Sequence, residues 1–205
     1  MNAIHPITLL RLNGGVLCLD FCNTVSNRNK PEPGDYLAGF RDITVWYDHI
    51  KGMPAKSIQT LERIARDYPA KAAQVFDKSI QLRELLYRLF GTIAKNKQPD
   101  QADLTTLTGY ISDAYMNMAL SWDKQSKVVA PDFNAPALEQ VIWRIADSAL
   151  ELLSAPQLAQ VKECPACGWL FLDKSRNGSR RWCSMSTCGD VHKVTRFQQR
   201  NKKKS

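Results

Sequence analysis

Four cysteines, Cys164, Cys167, Cys183 and Cys188, lie in the stretch CPACGWLFLDKSRNGSRRWCSMSTCG, spaced as C-x2-C, fifteen residues, then C-x4-C. A C-x2-C pair lets two thiolates from one tight turn reach the same ion, and Gly168 just beyond it allows the backbone to turn back. The second pair completes a tetrahedron. Four thiolates on one centre suit an ion that tolerates soft ligands and has no redox role, which makes zinc the expected metal, one per chain. A closed shell of four sulfurs leaves no open position, so the expected ion is structural.

Between the two pairs, Trp169 to Asp173 and Arg180 to Trp182 flank Asn177-Gly178, a sequence that predicts a hairpin returning the chain to the metal. After Cys188, Val191, Val194 and Phe197 recur at helical spacing, with Lys193, Arg196 and Arg200 on another face. Knuckle, hairpin, then helix is the order of a treble-clef zinc finger. Disulfides or free buried cysteines are the competing readings, and His192 is an alternative fourth ligand. Cys18 and Cys22, at and just past an apolar run, read as small hydrophobes of the core.

Charge concentrates on the same segment. The chain of 205 residues carries a formal +8, yet residues 1–161 hold 17 basic and 17 acidic side chains, while residues 162–205 hold 11 basic against 3 acidic. The whole excess therefore sits at one end, beside the thiols. Zinc with four thiolates contributes −2, leaving about +6 on the finger. Lys174, Arg176, Arg180 and Arg181 on the hairpin, with Lys193, Arg196 and Arg200 on the helix, are the candidate phosphate contacts. Neutralising four to six phosphates of duplex DNA gives a salt slope of roughly −4 to −5 on log axes. DNA is the expected partner; RNA shares the same electrostatic footprint.

Positioning this module falls to the first 160 residues or so. ITLLRL and VLCLDF, separated by Asn13-Gly14-Gly15, predict a β-hairpin over residues 7–21. SNRNKPEPGD predicts an irregular loop. Helical periodicity then predicts a short helix near 40–50 and a second carrying Ile58, Leu61, Ile64 and Tyr68. The clearest helix spans 79–95, with Leu82, Leu85, Leu86, Leu89, Phe90 and Ile93 on one stripe and Glu84 set to pair with Arg88. A fourth carries Leu104, Leu107, Ile111 and Tyr115. Met118, Leu120 and Trp122 alternate ahead of KVVA, predicting a second hairpin. Asn134 and Pro136 signal a helix start before Leu138, Val141 and Ile145, ended by Ser154-Ala155-Pro156. The expected class is α+β: a mostly helical N-terminal domain with small antiparallel hairpins, and a C-terminal four-cysteine finger.

MNAIHPITLLRLNGG lacks the pattern of a secretory signal, and no run approaches the ~20 apolar residues that span a bilayer. The expectation is a cytoplasmic protein with no membrane partner, in a compartment where thiols stay reduced. The first 161 residues carry no phosphate loop, no H-E-x-x-H and no G-x-S-x-G, so no enzyme is expected.

The cysteine segment resembles the CGNR-type zinc finger of bacterial proteins, and LCLDFCNTV with Trp46 resembles the ABATE domain that precedes it. The resemblance implies a stress-induced transcription regulator with three parts: an ABATE-like, ligand-sensing domain over 1–158, a DNA-binding finger over 159–200, and a basic tail over 201–205 without regular structure. Asp20, Asn23, Arg28 and Trp46 become candidates for an effector pocket, against the alternative of a structural hydrogen-bond network. The family's Cys-Gly-Asn-Arg reads Cys188-Gly189-Asp190-Val191 here, which replaces an amide by a carboxylate and removes an arginine. Because one finger offers limited base readout, a homodimer or a polymerase-linked partner is expected. The alternatives are an RNA-binding or protein-interaction finger, or an enzyme anchored to nucleic acid by it.

Overall fold

The long apolar stripe of residues 82–93 organises the molecule. In the computed structural model, which describes residues 5–123 and 127–190, this stripe belongs to a helix of 26 residues, Pro69–Ala94. Six α-helices are present among the described residues: α1 Leu17–Cys22, α2 Phe40–His49, α3 Ala55–Asp67, α4 Pro69–Ala94, α5 Gln101–Met116 and α6 Gln140–Ser154. Two antiparallel pairs accompany them, β1 Ala119–Asp123 with β2 Val128–Asp132, and β3 Val161–Glu163 with β4 Leu170–Leu172. The architecture is a mostly helical body with small hairpins and a C-terminal four-cysteine cluster, as expected.

α4 begins ten residues before the predicted start, because Pro69 occupies the first helical position, where its missing N–H costs no hydrogen bond. Leu82, Leu85, Leu86, Leu89 and Phe90 are buried along it. The predicted Glu84–Arg88 pair does not form. Glu84 instead holds Arg28 and Arg83, and Arg88 reaches Asp103 on α5 at 2.7 Å. α6 starts at Gln140, later than Asn134 and Pro136 suggested, and Asn134 accepts a hydrogen bond from Arg144 Nη2 at 2.8 Å. Trp122 and Val129 face each other across the β1–β2 pair and are both exposed.

The hairpin predicted over residues 7–21 is replaced by a 3₁₀ turn, Pro6–Leu9, and α1. A short apolar run has no period to separate strand from helix, and here packing against the helical body decides. Cys18, Leu19, Phe21 and Cys22 are all fully buried, with α4 on one side and α6 on another. Gly14 and Gly15 are not a hairpin turn. A Cβ on Gly14 would stand 2.6 Å from Asp20 N, so only glycine lets this strand of backbone lie against α1.

The finger's knuckle is built into the same core. β3 pairs with β4 in the register Val161↔Leu172, Lys162↔Phe171 and Glu163↔Leu170, so the pair brackets Cys164 and Cys167. The hairpin predicted between 169–173 and 180–182 does not form, because β4 already has β3 as its partner. Residues 174–182 make an irregular loop instead. Along β4 the side chains alternate: Leu170 and Leu172 join the main core, while Phe171 packs with Cys164, Trp182 and Cys183 in a separate small cluster.

Candidate metal centre and nucleic-acid interface

The knuckle closes through two backbone bonds, Cys164 N to Trp169 O and Gly168 N to Cys164 O, both 2.8 Å. Gly168 takes φ +73, and a Cβ there would meet Arg28 Cβ at 3.0 Å and Tyr87 Oη at 3.1 Å, which restricts the position to glycine. The body grips this turn from outside. Arg28 N donates to Cys167 O at 2.9 Å, Tyr87 Oη to Gly168 O at 2.9 Å, and Asn29 Nδ2 to Pro165 O at 3.2 Å. The other two cysteines come from a single wide turn, Met185–Gly189, and the residues just before it.

All four sulfurs lie within 4.8 Å of one another, and Cys183 Sγ stands 3.6 Å from both Cys167 Sγ and Cys188 Sγ. A disulfide requires about 2.05 Å. The edge of a tetrahedron of sulfurs around zinc, with Zn–S near 2.3 Å, is about 3.8 Å. The thiols are therefore free and spaced for a shared ion. Hydrogen bonds from Cys167 and Cys183 hold the Cys164 thiol far below its ordinary range, while donation to Cys164 pushes Cys167 up to about 12. The bare cluster thus stabilises one thiolate at the expense of its neighbours, and a divalent cation is what permits four. The donor set fits zinc. His192 lies outside the described residues.

Cys18 and Cys22 lie in α1, away from this centre, and burial pushes Cys18 up to about 12 and Cys22 well above its ordinary value. Both are neutral core thiols, in contact with Ser148 O and Arg83 O.

Residues 160–201 match the family model of the CGNR zinc finger, and residues 15–156, more than two thirds of the chain, match ABATE, a family described as putative stress-induced transcription regulator. The chain belongs to the ABATE family. No curated protein matches it. The join between the ABATE segment and the finger falls at the 3₁₀ turn Pro156–Gln160, yet Val161, Leu170 and Leu172 of the finger share the ABATE core.

The basic residues differ in what they touch. Lys174, Arg176 and Arg181 are exposed, and the Arg181 guanidinium lies 4.8 Å from the centre of the Trp182 ring. Arg180 is directed inward: its Nε donates to Trp182 O at 2.8 Å, its Nη2 to Cys183 O, and its guanidinium lies over Phe171. It ties the second cysteine pair to the finger's core. Lys193, Arg196 and Arg200, with the predicted helix that carries them and the tail over 201–205, lie outside the described residues.

Sequence reading missed Lys162 and Asp173. Lys162 Nζ sits 2.6 Å from Asp173 Oδ2 and also reaches Gly178 O and Arg180 O. Asp173 accepts from Ser175 N, Ser175 Oγ and Arg180 N. Burial would raise its carboxyl, but these hydrogen bonds, led by Lys162, hold it well below the usual carboxylate range. The pair replaces strand pairing as the frame of the loop 174–182. A lone lysine and aspartate eleven residues apart carry no motif, so only the fold could reveal them.

The ABATE residues Asp20, Asn23, Arg28 and Trp46 all have internal contacts. Asp20 Oδ1 accepts from Gly14 N at 2.7 Å, and burial lifts its carboxyl to about 6. Asn23 bonds both backbone groups of Leu170. Arg28 pairs bidentately with Glu84, donates to Cys22 O, and lies 3.8 Å over the Tyr87 ring. Trp46 is fully buried against Phe21 and Tyr47, its Nε1 without a hydrogen-bond partner among the described residues. None of the four lines the cavities of about 560 and 270 Å³ that border the finger. No described helix is long and apolar enough to cross a membrane.

Proposed function

We propose that this ABATE-family chain is a zinc-dependent, DNA-binding transcription regulator and not an enzyme. The observation that carries the reading is the convergence of Cys164, Cys167, Cys183 and Cys188, their sulfurs within 4.8 Å of one another, in a segment that also exposes Lys174, Arg176 and Arg181. These cysteines would hold the ion, which supplies rigidity and no open coordination position. Its role is to fix the loop 174–182 and the turn Met185–Gly189 so that their cations meet phosphates in a set arrangement.

In this reading Lys174, Arg176 and Arg181 supply affinity, Lys193, Arg196 and Arg200 extend the contact, and Arg180 acts by positioning Cys183. Asp190 is exposed and would disfavour a phosphate beside it, so contact shifts toward the loop. An effector would act on the ABATE body, through which the knuckle is held, and a homodimer would double the limited readout of one finger. Binding of a mixed-sequence duplex by the zinc-loaded chain, with a steep salt dependence that is lost with the metal, is the test. Salt-independent binding, or none, would overturn the reading.

A further inference from the structure

A cleft of about 560 Å³ separates the C-terminal end of α4 from the finger, lined by Ala94, Lys95, Lys162, Glu163, Pro165 and the loop Gly178–Arg181. Its volume lies in the range of ligand clefts. Four cations and a single carboxylate border it. The charge of Lys162 is offset by Asp173, and Arg180 is fixed by internal hydrogen bonds, so neither supplies a free cation to the cleft. Lys95 and Arg181 remain as the cations with exposed heads, one from the ABATE body and one from the finger.

We infer that this cleft seats a backbone phosphate of duplex DNA between Lys95 and Arg181, so that the nucleic-acid surface crosses from the finger onto the body. The inference rests on the DNA-binding reading above and deepens it by assigning a residue of the helical body to the interface. Lys95 Nζ now pairs with Glu163 Oε2 at 2.8 Å, its side chain 59% exposed. A pair this open to solvent is weak, and a doubly anchored phosphate competes with it readily. Arg181 is braced by Trp182, which limits the ordering its guanidinium must undergo on contact. On the finger side the cleft is lined by the loop Gly178–Arg181, which is continuous in sequence with the exposed Arg176.

The test compares wild type, Lys95→Ala and Glu163→Gln as zinc-loaded full chains, titrated with a mixed-sequence DNA duplex at several salt concentrations. Lys95→Ala should weaken binding about three- to tenfold and reduce the salt slope by roughly 0.9, the loss of one phosphate contact. Glu163→Gln should act in the opposite direction, tightening binding about two- to fivefold, because it frees Lys95 and removes the one carboxylate that lines the cleft. Equal zinc content shows that both variants keep the finger. If wild type binds and Lys95→Ala matches it in affinity and slope, or Glu163→Gln gives no gain, the cleft is not part of the interface while the finger reading stands. If wild type does not bind, both fall.

Discussion

The carboxamide of Asn23 meets both backbone groups of Leu170, donating to its carbonyl at 2.8 Å and accepting from its N–H at 3.0 Å. These residues are 147 positions apart, one on the end of α1 and the other on the strand that follows the metal knuckle. A side chain thus completes the hydrogen bonding of β4 on the edge that faces the body. Replacing Asn23 by Ala leaves two buried backbone groups unpaired, at a cost of about 2 to 4 kcal/mol. Denaturant titration should show that loss, together with faster zinc release to a chelator. Wild-type release kinetics would mean that the bond stabilises the body alone.

Zinc should be found at one ion per four-cysteine cluster in protein purified without chelator. Cys183→Ser removes the sulfur that stands 3.6 Å from two others, and elemental analysis should show its zinc largely lost. A metal content near zero in the wild type would end the four-thiolate proposal.

Arg180 and Arg181 are neighbours with different surroundings, the first bonded inward and the second exposed, so the finger's folding can be tested apart from its proposed binding. Arg180→Ala removes the ties to Trp182 O and Cys183 O and should reduce zinc retention several-fold. Arg181→Ala should leave zinc retention intact and weaken DNA binding about three- to tenfold, with a flatter salt dependence. Identical behaviour of the two variants in both assays contradicts this division.

Asp20 predicts a pH dependence with a definite sign. Its folded value of about 6 lies above the ordinary 3.8 because burial disfavours the charge. The folded state therefore binds a proton more tightly than the unfolded chain between these values, and stability rises on acidification. Between about pH 7 and about pH 5 the wild type should gain on the order of 1 kcal/mol relative to Asp20→Asn, measured as a difference in unfolding free energy. A flat difference would show that Asp20 titrates as an ordinary carboxylate.

The sequence announced the metal centre through cysteine spacing alone, since two short paired motifs can be recognised without knowing what holds them. It announced α2 to α6 because their apolar residues repeat at helical spacing over two turns or more. α1 escaped because its six residues span less than two turns, too few for Asp20 and the buried Cys18, Leu19, Phe21 and Cys22 to declare a period, and its identity depends on α4 and α6 packing against it. Arg180 looked like Arg181 because side-chain direction is a property of the loop, and that loop is framed by the ion pair of Lys162 with the buried Asp173, which has no local signature. The candidate pocket residues were noticed through resemblance, which marks residues that matter without saying whether they bind a ligand or one another.

The alternation along β4 has a consequence for how the chain can be divided. Leu170 and Leu172 complete the wall of the helical body, and Phe171 between them completes the finger. Cutting at the boundary between the two matched segments would leave an apolar gash in the first fragment and strip the second of the surface that braces its knuckle. Melting should accordingly be a joint event, in which removing the ion loosens helices that never touch it.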